Sequence, residues 1–161
     1  MIQDFITETE IRILIGFGFS LLAGIIIGIE RESRGKPAGI STHTLVICGS
    51  MVFTFLSSQV DPASTTRIAA YVVGGIGFLG AGMIIKGGRD IYNLTTAASI
   101  WFAASIGMAI GFEYYFLAII GIVVCALTPR IPHFQKISRR NGKKSEGANA
   151  EDDYTQPLDS D

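Results

Sequence analysis

The sequence predicts an all-α integral membrane protein, a bundle of about five transmembrane helices with its N-terminus outside and its C-terminus in the cytoplasm. Three observations predict it. Five long apolar runs follow one another along the 161 residues. Charge is confined to the ends of the chain and to the gaps between those runs. The basic residues fall almost entirely on alternate gaps, as the positive-inside rule requires.

Ile11 to Ile29 is apolar after Arg12 and long enough, as a helix, to cross about 30 Å of hydrocarbon. Thr44 to Val60 is the second run, ended by Asp61-Pro62. Ile68 to Ile85 is the third and is rich in glycine. Leu94 to Gly111 and Phe112 to Leu127 are the fourth and fifth, separated only around Gly111 and Glu113, so a tight hairpin joins them. None of the five carries the polar stripe that a water-facing amphipathic helix needs. The gaps after runs one, three and five hold Arg31, Arg34 and Lys36, then Lys86 and Arg89, then Arg130, Lys136, Arg139, Arg140, Lys143 and Lys144. The opposite side has only Arg12 and Arg67. Residues 1–131 therefore form the membrane domain. Residues 132–161 are Lys-, Ser-, Asn- and Asp-rich, too poor in apolar groups for a core, and are expected to be a disordered cytoplasmic tail.

Composition narrows the function classes. Hydrophobic residues make up 48% of the chain, mean hydropathy is +0.42 and the net charge is −1. Nucleic acid is not an expected partner, because no basic face dominates; the lipid bilayer is. Cys48 and Cys125 each lie in an apolar run, where thiols behave as small hydrophobes. No metal-ligand spacing exists and no cofactor motif stands in a suitable context, so neither a metal nor a cofactor is expected. Enzymatic activity is not expected either: His43 and His133 are the two histidines, and no nucleophile-base-acid set accompanies them.

Small residues form ridges at helical spacing. Gly16, Ser20, Gly24 and Gly28 recur every four residues in the first run, and Thr95, Ser99, Ala103, Gly107 and Gly111 do so in the fourth. Such ridges let helix backbones approach closely in lipid. Whether they pack within one chain or between copies in a homo-oligomer is open at this stage. Gly75 to Gly80 reads literally as GxGxxG, but no strand precedes it, so the dinucleotide reading fails. Gly74, Gly77 and Gly80 are instead expected to let the third helix cross its neighbours closely or bend.

The polar residues that invite a functional role lie at one edge. Glu30 and Arg31 end the first run, and a turn-rich loop through Gly35, Pro37 and Gly39 leads to His43. Asn93 is placed to cap the fourth helix, followed by Thr95 and Thr96. Glu30, Arg31, His43, Asn93, Thr95 and Thr96 are thus the candidate functional cluster. No Asp, Glu, Lys, Arg or His lies near the middle of any run, where ion and proton pathways usually place them.

Three ordered motifs carry a family resemblance: Glu30-Arg31 with Arg34 to Gly39 and Thr42-His43; Gly74 to Gly82; and Leu94 to Trp101. Over roughly residues 10 to 128 these resemble the membrane domain of the MgtC/SapB family. Two positions depart from the family pattern: Ser41 stands where Arg is usual, and Asn93 where Gly is usual. The resemblance implies a bacterial inner-membrane protein linked to growth under magnesium limitation. It also implies a regulator of other membrane machinery, ATP synthase included, and hence a membrane-protein partner. The alternative is a transporter of Mg²⁺ or another ion or small solute.

Overall fold

The computed structural model describes residues 7–60, 62–88 and 90–131; the expected tail over 132–161 lies outside the described residues. Five α-helices carry the fold: α1 Glu8–Ser33, α2 Ile40–Val60, α3 Thr66–Met83, α4 Leu94–Gly111 and α5 Tyr115–Leu127. A two-stranded antiparallel hairpin, β1 Ile85–Gly87 and β2 Asp90–Tyr92, joins α3 to α4.

Four of the helices, α1 to α4, are long and apolar enough to cross a membrane. The fifth is shorter: α5 has 13 residues, or about 20 Å of helix. Residues 112–114, which the fifth apolar run included, form the turn before it.

Local chemistry sets the helix ends. Thr7 and Glu10 form a capping box at the start of α1: the Glu10 amide donates to Thr7 Oγ1 at 3.4 Å and the Thr7 amide to Glu10 Oε2 at 2.5 Å. At its other end α1 runs on past the apolar run through Glu30, Arg31, Glu32 and Ser33. It closes in a Schellman motif. Gly35 has φ +63°, its amide donates to Glu32 O at 2.9 Å, and the Lys36 amide donates to Arg31 O at 3.1 Å. The same motif closes α4, with Glu113 at φ +65° in the glycine position, the Glu113 amide on Ile110 O at 2.9 Å and the Tyr114 amide on Ala109 O at 2.8 Å. A left-handed Glu is unusual. Its carboxylate meets Arg12 near the start of α1 at 2.6 Å, tying the α4–α5 turn to that helix.

The core is the seam of α1, α2 and α4. Ala23 and Ile27 of α1, Ile47 and Met51 of α2 and Ala103, Ile106 and Ile110 of α4 are buried in it, with Ala118 and Cys125 of α5 closing one side. Glycine makes the seam tight. A Cβ at Gly24 would strike Thr44, one at Gly28 the backbone of Ile40, one at Gly107 the Ile47 carbonyl, and one at Gly111 the Met51 carbonyl at 2.7 Å. Gly16 meets the side chain of Met51 at ordinary contact distance, 3.4 Å. These ridges therefore pack within one chain.

The third helix behaves otherwise. A Cβ at Gly74, Gly75, Gly77 or Gly82 would meet nothing within 4 Å, and at Gly80 it would make only ordinary contact with Ala97. Close crossing at Gly74 and Gly77 is thus not found within this chain. α3 packs on α2 and α4 but splays from α2, leaving an apolar groove of about 470 Å³ lined by Leu45, Gly49, Phe53, Tyr71 and Gly75 among others.

Candidate functional site

The end of α1, the start of α2 and the start of α4 meet at one edge of the bundle. Arg31 projects inward from the last turn of α1, where a cation is favoured by the helix dipole. It is 1% exposed, and its Nη2 donates to Thr96 Oγ1 in the first turn of α4 at 3.0 Å. His43, in the first turn of α2, is fully buried. Its Nδ1 lies 2.9 Å from Gly39 O and its Nε2 3.3 Å from Ser99 Oγ. The Ser99 hydroxyl donates to Thr96 O at 2.8 Å, and its oxygen faces the imidazole. Thr96 is the hinge of the cluster: its hydroxyl takes Arg31 and its carbonyl takes Ser99.

Glu30 lies beside this network and is 7% exposed. Its carboxylate faces Arg34 Nε at 3.3 Å, an ion-pair contact at i,i+4 spacing. Neither of its oxygens accepts a hydrogen bond among the described residues, and Arg31 Nε is likewise unmatched. A carboxylate so buried is costly without partners. Among the described residues the edge therefore holds a carboxylate with both oxygens, and a guanidinium Nε, outside any hydrogen bond. Arg34 also donates to the Pro129 carbonyl past the end of α5.

Of the six residues singled out from sequence, Glu30, Arg31, His43 and Thr96 converge. Thr95 does not: it is exposed, one residue out of phase with Thr96. Asn93 sits at the cap position of α4, but its side chain makes no capping bond. Its Nδ2 instead donates to Met83 O at 3.3 Å, fastening the end of α3. Its φ of +63° is the left-handed region that glycine adopts freely and asparagine tolerates best among other residues. That conformation accounts for Asn93 at a position where Gly is usual.

Three participants were not singled out from sequence as members of this cluster. Ser99 stands in the small-residue ridge of the fourth run, yet it bonds to the histidine. Arg34 belongs to the basic residues that signal topology, and its spacing of four from Glu30 is the clue to the ion pair. Glu32 caps α2 from outside: its Oε1 accepts the Ile40 amide at 2.9 Å, and Gly39 leaves room for that carboxylate. Ser41, the other departure from the family pattern, is exposed in the first turn of α2.

Chemically, the cluster ties α1, α2 and α4 together through a guanidinium, an imidazole and two hydroxyls. Among the described residues no group of three or more His, Cys, Asp or Glu side chains could hold a metal ion.

The MgtC family matches residues 17–134. Protein MgtC of Salmonella typhimurium is 43% identical over 109 residues, which cover 66% of this chain and 47% of that protein. The "Putative magnesium transporter YhiD" of Escherichia coli K12 is 44% identical over 119 residues, 66% of this chain and 54% of that protein. Protein MgtC of Brucella abortus is 46% identical over 93 residues, 57% of this chain and 39% of that protein. The chain thus spans about half the length, or less, of these curated relatives. No solved structure matches it. A family match across all the helices that build the polar edge, joined by relatives above 40% identity, leads to one conclusion: the chain is a membrane protein that belongs to the MgtC family.

Proposed function

We propose that this protein is a non-enzymatic regulator in the bacterial inner membrane, active in adaptation to magnesium limitation, and that it works by packing α3 against a transmembrane helix of a different membrane protein. The observation that carries the reading is the open glycine surface of α3. A Cβ at Gly74, Gly75, Gly77 or Gly82 would meet nothing within 4 Å, and Gly75 of α3 and Gly49 of α2 line the groove between the two helices. Close packing through small residues is a main source of helix association in lipid. Here that capacity is unused. Just 11% of the α3 span is buried, against 61% of the α4 span. A partner helix seated in the groove would bring its backbone to Gly49 and Gly75.

The magnesium-transporter description of the Escherichia coli relative supports the second reading, transport of Mg²⁺ or another ion. Two features weigh against it. The α1–α2–α4 seam is closed by backbone contacts at Gly24, Gly28, Gly107 and Gly111. Among the described residues the buried Glu, Arg and His side chains, Glu30, Arg31 and His43, all sit at one edge rather than along a path.

Two experiments test the proposal. A photo-crosslinking residue in place of Tyr71 or Phe78, which are 79% and 85% exposed, should capture a different membrane protein in cells grown at low magnesium. Purified protein in liposomes should show no Mg²⁺ flux above empty vesicles; robust flux would replace the regulator reading with the transporter. We also propose that the N-terminus is outside. In intact cells a cysteine at Ser64 should react with an impermeant reagent and one at Ser145 should not, and the reverse pattern would invert the orientation.

A further inference from the structure

The β1–β2 hairpin has no core beneath it. All six strand residues are exposed, including Ile85 at 57%, Ile91 at 60% and Tyr92 at 54%. An isolated two-stranded hairpin is marginally stable in water. This one is held at its base by Asn93, whose side chain donates to Met83 O. Its register pairs Ile85 with Tyr92, Lys86 with Ile91 and Gly87 with Asp90, and Gly88, directly after β1, has φ +61°. The Tyr92 ring leans over Gly87, where an added Cβ would lie 3.1 Å from it.

Polarity changes along this hairpin rather than across it. Ile84, Ile85, Tyr92 and Leu94 are at the base, next to the ends of α3 and α4. Lys86 and Ile91 follow, and Gly87, Gly88 and Asp90 form the far end. A surface built for a protein partner would gather its apolar groups on one face. Ile85 and Tyr92 are instead on one face and Ile91 is on the other. A gradient from aliphatic through tyrosine and lysine to polar turn is the order of chemistries met on leaving a bilayer. The hairpin also continues directly from two membrane-crossing helices.

We propose that this hairpin is an interfacial anchor seated among the lipid headgroups, with Ile85 and Tyr92 at the acyl boundary and the Lys86–Ile91 pair one step further out, where the lysine reaches the phosphates. It would fix the depth in the bilayer of α3, the least buried of the four spans. The inference is independent of any partner on the glycine face.

The test uses the whole chain with Cys48 and Cys125 replaced by alanine. An environment-sensitive fluorophore is placed on Ile85→Cys, Ile91→Cys or, as a water-exposed control, Lys36→Cys. The proteins are reconstituted in vesicles of phosphatidylethanolamine and phosphatidylglycerol. At Ile85 and Ile91 aqueous iodide should quench several-fold less than at Lys36, and lipids with a nitroxide high on the acyl chain should quench several-fold more. Iodide quenching equal to the Lys36 control would put the hairpin in water and overturn the proposal. Protection from iodide without nitroxide quenching would mean that a second copy of the chain covers the hairpin, and would overturn it too.

Discussion

α3 and α4 are both 18 residues long, both apolar, and both punctuated by small residues at helical spacing. One is the most enclosed helix in the bundle and the other the least. In α4, Gly107 and Gly111 are pressed against the backbone of α2; in α3, Gly74, Gly75 and Gly77 face open space. Spacing of small residues therefore signals a capacity for close approach. It does not say whether the neighbour belongs to the same chain.

Substitutions at matched positions would break or sharpen that contrast. The largest effect is expected for Gly107→Leu. The side chain would be driven into the Ile47 carbonyl and Ser50, and a backbone cannot rotate away as a side chain can. A loss at the upper end of the usual overpacking cost, about 1–3 kcal/mol, should appear in thermal unfolding in detergent. Normal stability would mean that the α2–α4 seam is looser than described.

Asn93, at the joint between the two helices, gives the next effect. Asn93→Ala keeps the left-handed backbone without the residue that tolerates it and loses the bond to Met83 O, so a cost of about 1–2 kcal/mol is expected. Asn93→Gly should cost much less, and equal losses in the two variants would show that backbone strain is not the issue.

Glu30→Gln should be milder still. The Arg34 contact it removes is of the exposed i,i+4 kind on the arginine side, worth about 0.3–0.5 kcal/mol. If the polar edge is functional, growth rescue in low magnesium should be lost while expression and melting temperature stay near wild type. A variant that both folds and rescues would leave Glu30 as an anchor only.

The smallest stability effect is expected for Gly75→Leu, within about 0.5 kcal/mol of wild type, since the side chain enters open space. Crosslinking to the partner from Tyr71 should nevertheless fall sharply. A large drop in melting temperature would show instead that α3 closes onto α2 in the membrane.

The contrast also explains what was legible in the residues. Apolar run length and basic-residue alternation disclose helices and their order, because both follow from the bilayer. Helix ends were less visible. The apolar run stops at Ile29, yet Glu30 to Ser33 stay helical, and the chain turns only at Gly35. The hairpin was hidden because Ile84 and Ile85 extend the apolar run of α3 without a break. Within the polar edge the residue types pointed the right way, but rotation did not. Thr95 and Thr96 look alike in sequence, and about 100° of helical turn between neighbours puts one outside and the other on Arg31.

Glu32 has a consequence for how the protein is made. It accepts the Ile40 amide across a loop of six residues, 34–39, so the junction of α1 and α2 is completed by groups close together in the chain. Gly24 and Gly28 meet Thr44 and Ile40 in the same stretch. The first two helices can therefore pair while the rest of the chain is still on the ribosome, and leave the insertion machinery as a finished unit. α4 packs on that pair through Gly107 and Gly111, so a defect at Gly28 or Glu32 would loosen the surface on which α4 rests.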